Sequence, residues 1–325
     1  MKNFVFCLSA VFSTVFFAGA ASAQTKWDLP TGYAANSFQT QNVQQFANEV
    51  DQLTGGKLKI TLHPGASLYK ANEIKRAVQT GQVPVAEFIL SGAANENPLF
   101  GADSIPFLAT SYPAARRLYE AAKPAQDKLL ASQGMKLLFS VPWPGQSLYS
   151  IKAVSTPADL VGTKMRTYNP ATARIAQLLK AQPVTIQLAE LGQALATGGV
   201  QNFLTSSASG VESKLYEQVK FLYPVNAWLP RNATVVSQKA FGALDKPTQD
   251  AVLKAAASAE VRGWATSEKA DGEYIKELAA KGMTIAAPSD SIKAALAAIG
   301  ETMTAEWLKT AGPEGQAVID AYRSR

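Results

Sequence analysis

Between Gln41 and Leu53 the apolar residues fall at Val43, Phe46, Ala47, Val50 and Leu53, the three-and-four spacing of one helix face. Thr54-Gly55-Gly56 stops that run. From Lys57 the period drops to two: Leu58, Ile60 and Leu62 alternate with Lys57, Lys59 and Thr61, a half-buried strand ending at the His63-Pro64-Gly65 turn. The two periods then trade places down the chain. Helical spacing predicts helices over 72–80, 112–133, 170–181 and 190–197, while apolar runs and alternation predict strands over 83–90, 136–141, 148–154, 164–167 and 183–188. Ser91 to Pro106 reads as a loop and Pro157-Ala158-Asp159-Leu160 as one turn of helix. Strands alternating with helices point to an α/β architecture. No fixed-period repeat and no low-complexity linker interrupts it.

The segment Lys246 to Lys281 stands apart. It has no proline after Pro247, alanines and charges dominate it, and only Gly263 and Gly272 interrupt. As one helix it would be about 50 Å long, longer than a small domain is wide, and would brace two lobes. The alternative is two ordinary helices with a break at Gly263 or Gly272.

The N-terminus changes the picture of where the chain works. Lys2 is followed by an apolar run from Phe4 to Ala20 and by the small residues Ala21-Ser22-Ala23, an export leader over 1–23 with the cut before Gln24. The run is short for a membrane span and has no basic flank, so no direct membrane anchor is expected and the chain belongs in the periplasm. The cut removes Cys7, the only cysteine, and with it any disulfide or thiolate chemistry. The 31 basic and 25 acidic residues are scattered, which speaks against nucleic acid. The mild positive balance suits an anionic small ligand.

Catalytic equipment is thin. His63, the only histidine, sits in a turn after a strand, yet a Ser-His-Asp triad would have to use it. A histidine-rich metal site is impossible, and no cofactor motif or metal site is expected. Gly145-Gln146-Ser147-Leu148-Tyr149 lacks the second glycine of a nucleophile elbow, and Thr54-Gly55-Gly56-Lys57 lacks the Walker spacing. Paired carboxylates remain the open enzymatic route, a secreted hydrolase. The simpler expectation is no enzyme but a binder that closes two lobes around its ligand.

Six motifs in order carry a more specific resemblance. Asp159-Leu160-Val161-Gly162-Thr163-Lys164-Met165-Arg166 is similar to the DLxGxKxR signature of the DctP-type solute receptors of tripartite ATP-independent periplasmic (TRAP) transporters. Thr54 to Ile60 resembles the family's TGGRLKI, His63 to Leu68 its PGxQL, and Ile105-Pro106-Phe107 its LPF. Gln182-Pro183-Val184, Glu190 and Gln193 to Gly198 resemble its GxPV…E…ALQTG stretch, and Lys239 to Leu244 its KKAFDAL, just before the long helix. The resemblance implies two α/β lobes with a central cleft, a long helix bracing both, and membrane subunits that receive the ligand on an ion gradient. It also implies that Arg166 pairs with a ligand carboxylate. A binding protein for an ABC importer, or a sensor, shares the same lobed physics and is the rival within binders.

Around Arg166 the expectations are finer. Gln146 lies where some relatives carry a second basic residue, and a neutral amide there favours a monocarboxylate, whether aromatic, keto or hydroxy acid. Where the family shows VDGxEN, this chain reads Val200-Gln201-Asn202-Phe203-Leu204-Thr205. Thr205 replaces the terminal Asn and Phe203 adds aromatic surface, a departure that speaks against sugar acids and C4-dicarboxylates. Tyr33 and Asn36 follow the first strand, and Ser91 opens the loop after the 83–90 strand. Such strand ends face the crevice in open α/β sheets. Tyr168 is a further lining candidate, and Trp143 and Trp228 read equally as cleft lining or as core. The expected lobes are 24–147 plus about 236–270, and 148–235 plus about 271–325, in a monomer.

Overall fold

The computed structural model describes residues 24–324. The expected leader, 1–23, lies outside the described residues. The chain opens with β1 (Thr25–Pro30), α1 (Phe38–Leu53) and β2 (Leu58–His63), a parallel strand–helix–strand unit in which Leu58 and Ile60 are buried as their alternation requires. α2 (Ile74–Gln79) and β3 (Val85–Ile89) follow. The expected loop over 91–106 contains two short 3-10 turns, the second started by Asn97, whose side chain accepts from the Leu99 amide. α3 (Tyr112–Ser132) is capped by Ser111 and leads into β4 (Met135–Pro142).

The second half begins with β5 (Ser147–Ser150), shorter than expected, and β6 (Lys164–Thr167). α4 (Pro170–Leu178) starts at a cap in which Asn169 accepts from the Thr172 amide. β7 (Gln182–Thr185), α5 (Leu188–Ala196), β8 (Asn202–Thr205), α6 (Ser207–Glu212) and β9 (Phe221–Tyr223) complete this region. The chain then returns through β10 (Arg231–Ser237), α7 (Gln238–Gly242) and α8 (Lys246–Ala280), and ends with β11 (Thr284–Ile285) and α9 (Asp290–Arg323).

These elements form two α/β lobes. One holds the β1-β2 pair and a three-stranded sheet, β3-β10-β4, in which β10 runs antiparallel to both neighbours. The other is built on a six-stranded sheet of order β11-β9-β5-β8-β6-β7. Two connecting segments, 143–146 and 224–230, pass between the sheets side by side. The amides of Trp143 and Gln146 donate to the carbonyls of Pro230 and Trp228, and the Ala227 amide donates to the Gln146 carbonyl. Gly145 lets them touch: a Cβ there would meet the Asn226 side chain at 2.4 Å.

α8 is one continuous helix of 35 residues, capped by Asp245, which accepts from the Thr248 amide. It shows no single apolar stripe because it serves two cores. Val252, Ala255, Ala256 and Ala259 pack with Phe46, Val50 and Phe139 of the first lobe, while Leu278 joins Tyr149, Phe203 and Leu222 of the second. α9 does the same in reverse. Ile292, Leu296 and Met303 pack on the six-stranded sheet, the helix breaks at Gly312-Pro313, and Val318 packs beside Leu118 of α3. No described helix is long and apolar enough to cross a membrane.

The two glycines of α8 do different things. A Cβ on Gly263 would lie 2.4 Å from Val141 Cγ2 and 2.8 Å from Asn42 Nδ2, so this glycine permits the helix to press on β4 and α1. A Cβ on Gly272 would meet nothing within 4 Å. Gly263→Ala should therefore destabilise the protein by about 1–3 kcal/mol through overpacking. Gly272→Ala should stabilise it by up to about 1 kcal/mol through helix propensity. Urea denaturation of both variants checks the pair, and equal shifts of one sign would refute the assignment.

Candidate functional site

β6, β7 and β8 run parallel, so their carboxyl ends share one edge of the six-stranded sheet. A cavity of about 140 Å³ opens there and reaches across to Tyr33, α2 and β3 of the other lobe. Arg166 stands on β6 between Val184 and Phe203, and its guanidinium faces this cavity. Only 3% of Arg166 is exposed. Its Nε donates to the Ile186 carbonyl at 2.8 Å, and the guanidinium carbon lies 4.8 Å from the centre of the Tyr168 ring. Among the described residues no carboxylate forms an ion pair with it, and the Ile186 carbonyl is its hydrogen-bond partner.

That is an expensive arrangement. Burial pulls the Arg166 pKa down to about 10, with charge interaction from the Tyr168 and Tyr33 hydroxyls opposing the fall. Arginine still holds its proton at neutral pH. The site therefore presents a charged, planar fork whose one interior bond leaves the terminal nitrogens available to the cavity.

Of the expected residues, six line the cavity: Arg166, Gln146, Thr205, Trp143, Tyr33 and Tyr168. Gln146 is held at both ends, its Nε2 donating to the Pro144 carbonyl at 3.2 Å and its Oε1 accepting from the Tyr168 hydroxyl at 3.1 Å. Trp143 donates from Nε1 to Asn232 Oδ1 at 2.9 Å and packs against the Tyr33 ring at 4.8 Å. Tyr33 donates to the same Asn232 oxygen at 3.2 Å.

Four expected residues lie elsewhere. Phe203 shares a strand face with Thr205, but two residues back from the strand end it is fully buried and stacked on Tyr149 at 5.2 Å. Trp228 is buried in the other core of that lobe, beside Leu148, Tyr223 and Met303. Ser91 is buried, and its Oγ accepts from Asn169 Nδ2 at 2.9 Å, a bond between the lobes. Asn36 is exposed and donates to the Glu212 carbonyl at 3.2 Å. His63 is the last residue of β2 rather than part of a turn, and lies 2.8 Å from Asp28 and away from the cavity.

Sequence reasoning missed Lys75 and Glu96, which face the cavity, and the apolar walls formed by Ile74, Phe88, Ile89 and Leu188. Lys75 borders the Ile74-Ala77-Val78 stripe of α2, a position that reads as an ordinary solvated lysine. It also missed the polar layer behind the wall. Glu87 on β3 is buried and takes hydrogen bonds from the Thr31 hydroxyl and, at 2.5 Å, from Asn232 Nδ2. With Nδ2 committed to Glu87, Asn232 must turn Oδ1 toward Trp143 and Tyr33. Burial lifts the Glu87 pKa to about 7 despite these two donors. Among the described residues no three His, Cys, Asp or Glu side chains cluster as a metal site would need.

Comparison with known proteins adds the following. The model of the bacterial extracellular solute-binding proteins, family 7 (DctP), matches residues 31–310. A Bordetella pertussis extracytoplasmic solute receptor binding pyroglutamic acid is 51% identical, superposes with a TM-score of 0.91, and matches over 93% of this chain and 100% of its own. A marine metagenome TRAP solute-binding protein specific for pyroglutamate, in complex with the co-purified ligand, is 43% identical with a TM-score of 0.91, over 93% of this chain and 99% of that one. A second Bordetella pertussis receptor binding pyroglutamic acid is 39% identical, again at 0.91, over 92% of this chain and 99% of that one.

The Glu87 shift has a stability consequence. Between the ordinary 4.5 and about 7 the folded protein keeps a proton that the unfolded chain releases. Stability from this group is thus complete below pH 4.5 and is lost as pH rises to 7, on the order of 3 kcal/mol in total. Glu212, lifted to about 7 by burial, acts in the same direction. Denaturation at pH 5 and pH 8 should show the wild type losing stability with pH, and Glu87→Gln should flatten that slope. Identical slopes would refute the role of Glu87.

Proposed function

The chain belongs to the bacterial extracellular solute-binding proteins of family 7, the DctP receptors of TRAP transporters, and on that basis we propose that it captures a small monocarboxylate, pyroglutamate above all. The observation that carries this reading is Arg166: a buried guanidinium with no carboxylate partner among the described residues, facing a cavity between two lobes. Its fork meets both oxygens of a carboxylate in one plane. In a closed, desolvated cleft such a pair is strong in the sense that losing one partner costs about 3–5 kcal/mol.

The rest of the wall suits a compact cyclic acid. Trp143, Phe88, Ile74 and Leu188 offer apolar surface to ring methylenes. The Gln146 amide, the Tyr33 hydroxyl and the Thr205 hydroxyl offer donors and acceptors to a lactam, which carries one N–H and one C=O. Three relatives at 39 to 51% identity that bind pyroglutamic acid support the same choice. The mechanism is capture and closure, after which TRAP membrane subunits accept the ligand from a monomeric receptor. Export with a cut before Gln24 accompanies that role. The lobes are proposed as 24–147 plus about 236–270 and 148–235 plus about 271–325, except that the pairing of β10 with β3 and β4 supports counting all of that strand in the first lobe.

Titration calorimetry with pyroglutamate, beside a panel of aromatic, keto and hydroxy acids, tests the reading, and pyroglutamate should bind tightest. Arg166→Lys keeps the charge and loses the fork, so affinity should fall at least about tenfold while the melting temperature holds. Arg166→Ala should cost roughly two to four orders of magnitude. Unchanged affinity in both variants would remove Arg166 from the site.

A further inference from the structure

Arg166 is not the only cation at the cavity. Lys75 of α2 faces it too, with a side chain only 8% exposed. Its ammonium lies 5.5 Å from the centre of the Phe100 ring and donates to Gln79 Oε1 at 3.3 Å. Its charge is answered by Glu96, whose Oε2 lies 2.5 Å from Nζ. Glu96 also faces the cavity, but its side chain is 48% exposed. The charged side chains on the cavity wall are thus Arg166, Lys75 and Glu96, and together they leave one positive charge uncancelled.

We infer that Glu96 is a specificity-determining residue: by occupying Lys75 it keeps the cavity a site for one carboxylate and turns dicarboxylates away. This rests on the reading of Arg166 as the carboxylate anchor. A ligand with a second carboxylate could reach Lys75 only beside or in place of Glu96. Either way the Glu96 carboxylate would face it as a like charge, which is selection by repulsion rather than by a better contact. The half-exposed position of Glu96 fits that role, because an ion pair open to water adds little to folding. The chemistry makes the discrimination meaningful. Closing glutamate into pyroglutamate joins the amine to the side-chain carboxyl and removes both charges. One carboxylate against two is therefore what separates the ring from its open, five-carbon form and from glutarate.

Calorimetry on the chain from Gln24 onward, with pyroglutamate, glutarate and L-glutamate as probes, decides the matter. Glu96→Gln keeps the side-chain size and frees the Lys75 ammonium. It should raise glutarate affinity by about tenfold or more while pyroglutamate stays within about threefold of wild type. L-glutamate should gain less than glutarate, because its own ammonium opposes entry. The double variant Lys75→Gln/Glu96→Gln restores the wild-type net charge and should lose the glutarate gain. Glutarate binding that is the same in Glu96→Gln and wild type, or a gain that survives the loss of Lys75, overturns the inference. Melting curves of both variants establish that they are folded. A wild type that ignores pyroglutamate, together with a Glu96→Gln variant that acquires glutarate, would sink the pyroglutamate assignment and uphold the filter.

Discussion

A guanidinium taken out of water without an opposing carboxylate sets the terms for the rest of this molecule. Burying an unpaired charge is unfavourable by several kcal/mol even after relaxation. The fold tolerates Arg166 because Ile186 takes one of its donors, the Tyr168 ring lies against it, and the cavity opens at its other side. The deficit left over is what an anion can remove. Ligand and closed form are then linked: whatever supplies the missing charge stabilises the conformation that encloses it.

The wall facing that charge is set from behind. Glu87 fixes the orientation of the Asn232 amide, and Asn232 in turn holds the indole of Trp143 and the hydroxyl of Tyr33. Rings that could rotate freely would define a loose boundary. Rings tied through one amide to a buried acid define a fixed one, and a cavity this small is selective only if its boundary is fixed. Two layers therefore cooperate: an unpaired cation that attracts, and a bonded polar layer that gives the attraction a shape.

Much of the frame was legible in the sequence because it is periodic. α1 and β2 follow from spacing alone, and α8 from a long stretch without proline after Pro247, where the alternative of two helices broken at Gly263 or Gly272 stood open until the structure showed one continuous helix. Arg166 was legible only through the resemblance carried by its motif, since a single arginine in a four-residue strand has no period to expose it. What stayed hidden is non-local. β10 owes its place to pairing with β3 and β4, far away in the chain, and the Lys75–Glu96 pair joins residues 21 apart with no pattern between them. Phe203 shows another limit. Its place in the motif said nothing of its depth, which depends on where β8 stops. α9 went unread although Ile292, Leu296, Ile299 and Met303 fall on one helical face, a stripe that stops short of the break at Gly312-Pro313.

The paired crossings near Gly145 and Asn226 have an implication for how selectivity and motion relate. Trp143 and Gln146 are mounted on that short double span, yet they also line the cavity. The segment that joins the halves and the wall of the cavity share these few residues. Any swing of one half against the other must re-aim an indole and an amide, so a molecule that fits them badly props the jaws at the wrong angle. If this cavity is the ligand site, discrimination is mechanical leverage as much as surface complementarity.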